Sequence, residues 1–104
     1  MRLKTKKQGR TLVASFSGEL DQHSAEQVRY ELDSILEDEN IRRIEFDLKG
    51  VTFMDSAGIG VILGRYRKLV PRGGSMNVLN ASPGIERILN MSGVYRLVSE
   101  RSAK

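Results

Sequence analysis

The chain has 104 residues, a net charge of +4, no cysteine and a single histidine. This length and one continuous apolar pattern predict a single domain over residues 1–104. The missing cysteines exclude disulfides, thiolate metal sites and cysteine nucleophiles, and one histidine offers no transition-metal cluster, so we expect no cofactor. No apolar run reaches the length of a membrane span, and the N-terminus lacks the apolar core of a signal peptide, which predicts a cytoplasmic protein.

The charges are segregated along the chain. Residues 19–39 contain eight acidic residues and one arginine, whereas residues 2–10 and 65–72 together contain nine basic residues and no acidic one. We therefore expect faces of opposite charge, which either steer a charged protein partner or are ordinary solvated surface. Direct nucleic-acid binding is disfavoured, because the chain has no tryptophan and no recognisable RNA-binding or helix-turn-helix signature.

The first third of the chain predicts a hairpin followed by an amphipathic helix. A basic segment precedes Gly9-Arg10, and residues 11–17 then alternate in character, so we expect two antiparallel strands. Asp21 and Ser24 come next, and either can cap a helix N-terminus. Helical spacing links the apolar residues that follow them: Ala25, Val28, Leu32, Ile35 and Leu36.

A central strand leads to a serine. Ile44, Phe46 and Leu48 alternate with charged residues, which predicts the strand, and its far end runs into Asp55-Ser56. Apolar residues then resume helical spacing as far as Pro71. We therefore predict Ser56 at the N-cap of a second helix, where its oxygen would accept a backbone N–H and where free amides would favour an anion.

The remaining pattern completes the fold. Residues 76–79 predict a strand, Ser82-Pro83 opens a short third helix, and residues 94–98 predict a last strand. Strands that alternate with helices after a hairpin predict an α/β fold with a mixed, largely parallel sheet of about five strands and three or so packed helices.

Ser56 does not fit the common catalytic patterns. His23 is the only histidine and the local sequence is not Gly-x-Ser-x-Gly, which argues against a serine hydrolase. Gly58, Gly60 and Gly64 are spaced one residue longer than a dinucleotide fingerprint, and no phosphate-loop lysine follows them. We interpret Gly60 and Gly64 as positions where the helix packs closely on the sheet, and we expect no enzymatic activity.

Three other polar residues have alternative roles. Asp55 either shapes the turn by accepting backbone N–H bonds, which we favour, or helps a bound kinase orient the Ser56 hydroxyl. Asp47, at the end of a central strand, could be a receiver-type phosphoacceptor, but the acidic pair and lysine that such a site needs are not evident. We interpret His23 as a surface or capping residue rather than a ligand.

Three segments carry a resemblance to a known family: Gly18-Glu19-Leu20-Asp21, residues 53–66 and Met91-Ser92-Gly93. On these residues the chain resembles the STAS domain family, and within it the bacterial anti-sigma factor antagonists of the sporulation type. The resemblance spans about residues 9–98, and the central segment is specific to antagonists with a phosphorylatable serine. Many members continue into a further C-terminal helix, which the few residues after Val98 are not expected to supply.

The resemblance implies a partner-switching cycle. An anti-sigma factor that is also a serine kinase holds a sigma factor inactive, and the unphosphorylated antagonist displaces the sigma factor. The kinase, with its own ATP and magnesium, would phosphorylate Ser56 and release the antagonist, and a PP2C-type phosphatase would restore it. The implied partners are thus this kinase and this phosphatase, with no DNA and no membrane.

The candidate site includes Ser56 and the residues expected to bind a partner or support the phosphosite: Asp21, His23, Ser24, Asp55, Ala57, Gly58, Ile59 and Gly60. Two alternatives remain open. One is a STAS regulatory module of a stress-signalling complex or of a membrane transporter. The other is a weak nucleotide-binding protein, although the chain lacks a phosphate loop.

Overall fold

The computed structural model describes residues 1–98 and 100–102, and this part of the chain forms an α/β fold. Five strands and three helices follow one another in the predicted order, which confirms the fold class. Their bounds are β1 Arg2–Gln8, β2 Thr11–Leu20, α1 Ala25–Leu36, β3 Arg43–Met54, α2 Ser56–Leu69, β4 Ser75–Leu79, α3 Pro83–Ser92 and β5 Glu100–Ser102.

The strands lie in the sheet in their sequence order. The opening strands β1 and β2 are antiparallel, as the hairpin pattern predicts, and every later neighbour is parallel. Each helical crossover advances by one strand in the same direction, so right-handed connections place all three helices on the same face of the sheet. We call this the helix face, and the opposite side the open face.

The core lies between the sheet and the helices. The alternating residues of β2 and β3 project their apolar side chains toward the helix face, and the rings of Phe16 and Phe46 stack there with centroids 6.1 Å apart. The residues between them are polar or only half-buried, which leaves the open face hydrophilic. This pattern is the two-residue period that one-sided burial requires.

Strand β3 extends beyond its neighbour β4. The β3–β4 pairing ends at Asp47 opposite Leu79, whereas the β2–β3 pairing continues through two irregularities to Leu20 opposite Met54. Helix α2 begins two residues after Met54. The long β2–β3 pair therefore supports the start of α2.

Ion pairs between α1 and α2 differ from the predicted faces of opposite charge. Arg65 on α2 is only 5% exposed, and its Nε lies 2.9 Å from Oδ1 of Asp33 on α1, at an angle outside that of a hydrogen bond. Lys68 lies 3.7 Å from the same oxygen. Burial lowers the pKa of Arg65, and the Asp33 charge opposes that shift. The second basic segment therefore neutralises part of the acidic helix instead of forming a separate face.

Arg72 closes the other end of this interface. Its guanidinium donates to the carbonyl oxygens of Leu36 at 2.6 Å, Ile41 at 3.0 Å and Asp38 at 3.2 Å. These acceptors lie at or just after the end of α1, where helical carbonyls lack intrahelical partners. Arg72 thus satisfies the C-terminus of α1 from the segment that follows α2.

The prediction of a last strand over residues 94–98 is wrong. Val94–Arg96 form a 3-10 turn, and the strand that pairs with β4 is Glu100–Ser102. Gly93 ends α3 in the left-handed region with φ of 84°, and Val94 is fully buried after it. The apolar residue that resembled a strand start is therefore the anchor of a turn.

Candidate functional site

Asp55, not Ser56, is the N-cap of α2. Its Oδ1 accepts the backbone N–H groups of Ala57 at 2.9 Å and Gly58 at 3.1 Å, and its extended backbone is that of an N-cap residue. The role in which Asp55 shapes the turn is therefore confirmed. The prediction that Ser56 caps the helix is wrong, because β3 ends one residue earlier than that role requires.

Ser56 is the first helical residue and is exposed. Within the described residues, its hydroxyl makes no hydrogen bond. The amides of Ala57 and Gly58 already bind the Asp55 carboxylate, and that of Ile59 donates to the Asp55 carbonyl at 3.1 Å. The expectation of several free amides for an anion is therefore wrong, and a phosphate on Ser56 would face solvent beside a carboxylate.

The loop between β2 and α1 is joined to this helix start. The backbone N–H of Gln22 donates to Oδ2 of Asp55 at 3.2 Å, so the two oxygens of one carboxylate hold two segments 33 residues apart. Gln22 did not stand out in the sequence, because its contribution is a backbone group. This contact brings the residues predicted around position 21 next to Ser56.

Asp21 and Ser24 fold the loop rather than cap α1 in the ordinary way. Asp21 Oδ1 accepts the N–H groups of His23 at 2.9 Å and Ser24 at 3.2 Å. The Ser24 hydroxyl accepts the Asp21 N–H at 3.1 Å and donates to the Glu19 carbonyl at 2.9 Å. Ser24 occupies the N-cap position of α1 without a capping bond from its side chain. Both residues therefore shape the loop, and we expect neither to present its polar atoms freely to a partner.

His23 lies exposed on the same loop. Its backbone N–H is held by Asp21, and within the described residues its imidazole makes no hydrogen bond or ion pair. This agrees with the interpretation of His23 as a surface residue. Of the predicted loop residues, His23 is the one whose side chain is free to meet a partner.

Gly58 is the glycine that packs closely on the sheet. A Cβ there would lie 2.3 Å from the Leu20 carbonyl oxygen and 2.7 Å from Met54 Cγ. Gly60 and Gly64 have nothing within 4 Å of such a Cβ, so the prediction that these two serve close packing is wrong. Gly58 therefore lets the start of α2 pack against the ends of β2 and β3, whereas Gly60 places no side chain on the exposed surface near Ser56.

An exposed aromatic residue lies on the strand that leads to α2. Phe53, near the end of β3, is 46% exposed, and Ala57 and Ile59 are half-buried at the edge of the core. Alternation in β3 breaks after Gly50, so Phe53 could not be assigned to either face from the sequence. We call the exposed group His23, Ser56 and Gly60 the Ser56 corner.

Two limits apply to residues 1–98 and 100–102, the part of the chain that the structure describes. No helix there has the length and apolar character that crossing a membrane requires. No three histidine, aspartate or glutamate side chains in that part form a group that could hold a metal ion.

Known proteins resemble this chain in sequence and in structure. The model of the STAS domain family matches residues 2–103. An anti-sigma F factor antagonist of Paenibacillus polymyxa is 40% identical over 87 residues, which are 84% of this chain and 74% of that protein.

The structure of the anti-sigma factor antagonist SpoIIAA in its unphosphorylated form is 29% identical and superposes with a TM-score of 0.77, covering 99% of this chain and 89% of the other. That of the Bacillus cell fate determinant SpoIIAA in its phosphorylated form is 28% identical with a TM-score of 0.78, covering 99% and 93%. The chain therefore belongs to the STAS domain family, and within it the chain is similar to the anti-sigma factor antagonists.

Proposed function

We propose that this protein is an anti-sigma factor antagonist whose unphosphorylated form binds an anti-sigma factor serine kinase and releases a sigma factor. Phosphorylation of Ser56 ends that binding. The observation that carries the proposal is an unbonded hydroxyl, exposed at the first turn of α2, in a chain similar to antagonists of this kind. The protein acts in the cytoplasm as a binder and a kinase substrate, and it has no catalytic role of its own.

The local structure supports Ser56 as the acceptor. The Ser24 hydroxyl is held by two backbone groups, and the Ser34 hydroxyl donates to the Tyr30 carbonyl at 2.9 Å. The Ser56 hydroxyl needs no such bond to be broken before it enters a kinase site. The Asp55 carboxylate fixes the backbone that follows Ser56, at Ala57 and Gly58, so a kinase meets the serine in a preorganised turn.

Added charge is the proposed switch. A phosphoserine carries about −1.5 to −2 charges at pH 7, and here it would join the Asp55 carboxylate at the exposed start of α2. An apolar or acidic partner surface would have to desolvate or repel that charge. Each ~1.4 kcal/mol lost weakens binding about tenfold, so a local change suffices without a rearranged fold.

Asp55 sharpens this mechanism. Because its carboxylate already occupies the amides of the first turn, the phosphate has no ready backbone cradle within its own protein. The added charge is therefore not compensated within the protein and remains exposed to the partner. A PP2C-type phosphatase would find the same group accessible and would reset the cycle.

Phosphate mapping tests the assignment. Incubation with the cognate kinase and ATP should add one phosphate, located on Ser56 by mass spectrometry, and Ser56→Ala should abolish the reaction. Ser34→Ala, which removes an exposed hydroxyl on α1, is the matched control and should be phosphorylated like the wild type. Phosphate on Ser24, Ser17 or Ser92 in the wild type would refute the assignment.

A further inference from the structure

A basic depression lies on the open face, on the side of the sheet away from the helices. Its volume is about 470 Å³, and it spans the first three strands of the sheet. The polar side chains that line it are Arg2, Lys4, Ser15, Ser17, Asp47 and Lys49. It is separate from the Ser56 corner, because α2 packs on the helix face.

The register explains why these side chains meet. Arg2 lies opposite Ser17 and Lys4 opposite Ser15, while Ser15 lies opposite Asp47. Leu3 packs against the core from the same strand. Since neighbouring residues of a strand point to opposite faces, Arg2 and Lys4 project from the open face together with the two serines.

Strand β3 adds a third cation, Lys49. Between the pairs Ser15–Asp47 and Ser17–Gly50, β3 has two residues where β2 has one. Lys49 lies two residues after Asp47 on the same face of β3 and lines the depression. The extra residue is a β-bulge, and it sets Gly50 instead of Lys49 opposite Ser17. Gly50 is required beneath, because a Cβ there would lie 2.5 Å from Ser17 Cβ.

The polar groups of the depression are available to a ligand. Within the described residues, Arg2, Lys4 and Lys49 have no ion-pair partner, and the hydroxyls of Ser15 and Ser17 make no hydrogen bond. The one carboxylate is already engaged, because Asp47 Oδ1 accepts the Lys49 N–H and the Asn80 Nδ2 group, each at 3.1 Å. Three cations against one anion leave a local excess of positive charge beside two hydroxyl donors.

From this arrangement we propose that the depression binds a small anion of the diphosphate class. Two adjacent phosphoryl groups carry enough charge to match the excess, and their oxygens accept from ammonium, guanidinium and hydroxyl donors. Basic residues on an edge strand also discourage sheet-to-sheet pairing, which would account for Arg2 and Lys4. Edge protection does not account for Lys49, which belongs to the interior strand β3.

Titration with inorganic pyrophosphate at low ionic strength tests the site. In ¹⁵N-resolved NMR spectra we expect saturable shifts of the backbone amides of Ser15, Ser17 and Gly50, and weaker binding of orthophosphate. Lys4→Gln and Lys49→Gln should each weaken pyrophosphate binding about tenfold, as expected for the loss of one charged hydrogen bond.

Lys6→Gln is the matched control. Lys6 is exposed on the same face of the same strand but does not line the depression, and the substitution changes the net charge equally. It should alter the affinity less than twofold, and Ser56→Ala should leave it unchanged. Equal weakening by Lys6→Gln and Lys49→Gln, or no saturable shift in the wild type, would overturn the proposal and leave edge protection as the role of the β1 cations.

Discussion

The two ends of α2 differ in how their polar groups are used. At the N-terminus, Ser56 is exposed and its hydroxyl is unbonded, while Asp55 satisfies the backbone around it. Toward the C-terminus, Arg65 is buried against Asp33, and Arg72 is committed to three carbonyl groups of the α1 end. The N-terminal end exposes the Ser56 hydroxyl to solvent, and the C-terminal end holds α1 and α2 together.

This difference supports the proposed switch. The residues around Ser56 are fixed by bonds that do not use its hydroxyl, so modification of that oxygen breaks no bond of the fold. Substitutions at the anchoring positions should therefore change stability, whereas those at Ser56 should change binding and leave stability nearly intact.

The largest effect on stability is expected from Gly58→Ala. The new Cβ would lie 2.3 Å from the Leu20 carbonyl oxygen, a backbone atom that cannot move without disturbing the β2–β3 pair. We expect a loss of about 3 kcal/mol in the free energy of unfolding, measured by urea denaturation.

Gly60→Ala is the matched control for this substitution. It adds the same methyl group two residues further along, where nothing lies within 4 Å. Since alanine has the higher helix propensity, we expect a gain of roughly 0.5–1 kcal/mol. Equal losses for both variants would contradict the assignment of Gly58 as the packing glycine.

The Arg65–Asp33 pair should respond asymmetrically. Asp33→Asn leaves the Arg65 charge buried with less compensation, and we expect a loss of about 2 kcal/mol, below the 3–5 kcal/mol of a fully buried pair because the Asp33 side chain is 35% exposed. Arg65→Met removes the buried charge itself, so its cost should be smaller. Thermal or urea unfolding of both variants checks the order, which the reverse ranking would contradict.

Glu31→Gln is the control for Asp33→Asn. Glu31 lies exposed on the same helix, and the substitution removes the same charge without touching Arg65. Its effect should stay within about 0.5 kcal/mol.

The smallest stability effect concerns the cap. Asp55→Ala removes the bonds to Ala57, Gly58 and Gln22, and should cost about 1–2 kcal/mol. Ser56→Ala removes an unbonded hydroxyl and should cost less than about 0.5 kcal/mol. Urea unfolding of the two variants separates them, and a larger loss for Ser56→Ala would restore Ser56 as the cap.

The sequence was sufficient for the order of strands and helices, because alternation and helical spacing record which side of each element is buried. It also pointed to Ser56, whose hydroxyl is exposed at the start of α2, and phosphorylation there stays a prediction. The adjacent Asp55 and Ser56 are both good N-cap residues, however, and the choice between them depends on where β3 ends. That end is set by pairing with β2, which local sequence does not encode.

The predictions for the glycines and for the last strand were wrong for a similar reason. Which of Gly58, Gly60 and Gly64 meets the sheet depends on the rotation of α2 over β2 and β3. Val94 fills the core from a turn, and an isolated apolar residue has the same appearance in a strand. The Gln22 contact with Asp55 is a backbone bond between distant segments, so no side-chain pattern could reveal it.

The most direct test of the central claim is calorimetric titration of the purified anti-sigma factor with this protein, before and after stoichiometric phosphorylation of Ser56. We expect the phosphorylated form to bind at least tenfold more weakly, and Ser56→Asp to shift in the same direction. Ser34→Asp, which adds a charge on α1 away from the corner, should bind like the wild type. Equal affinities of the phosphorylated and unphosphorylated forms would contradict the account.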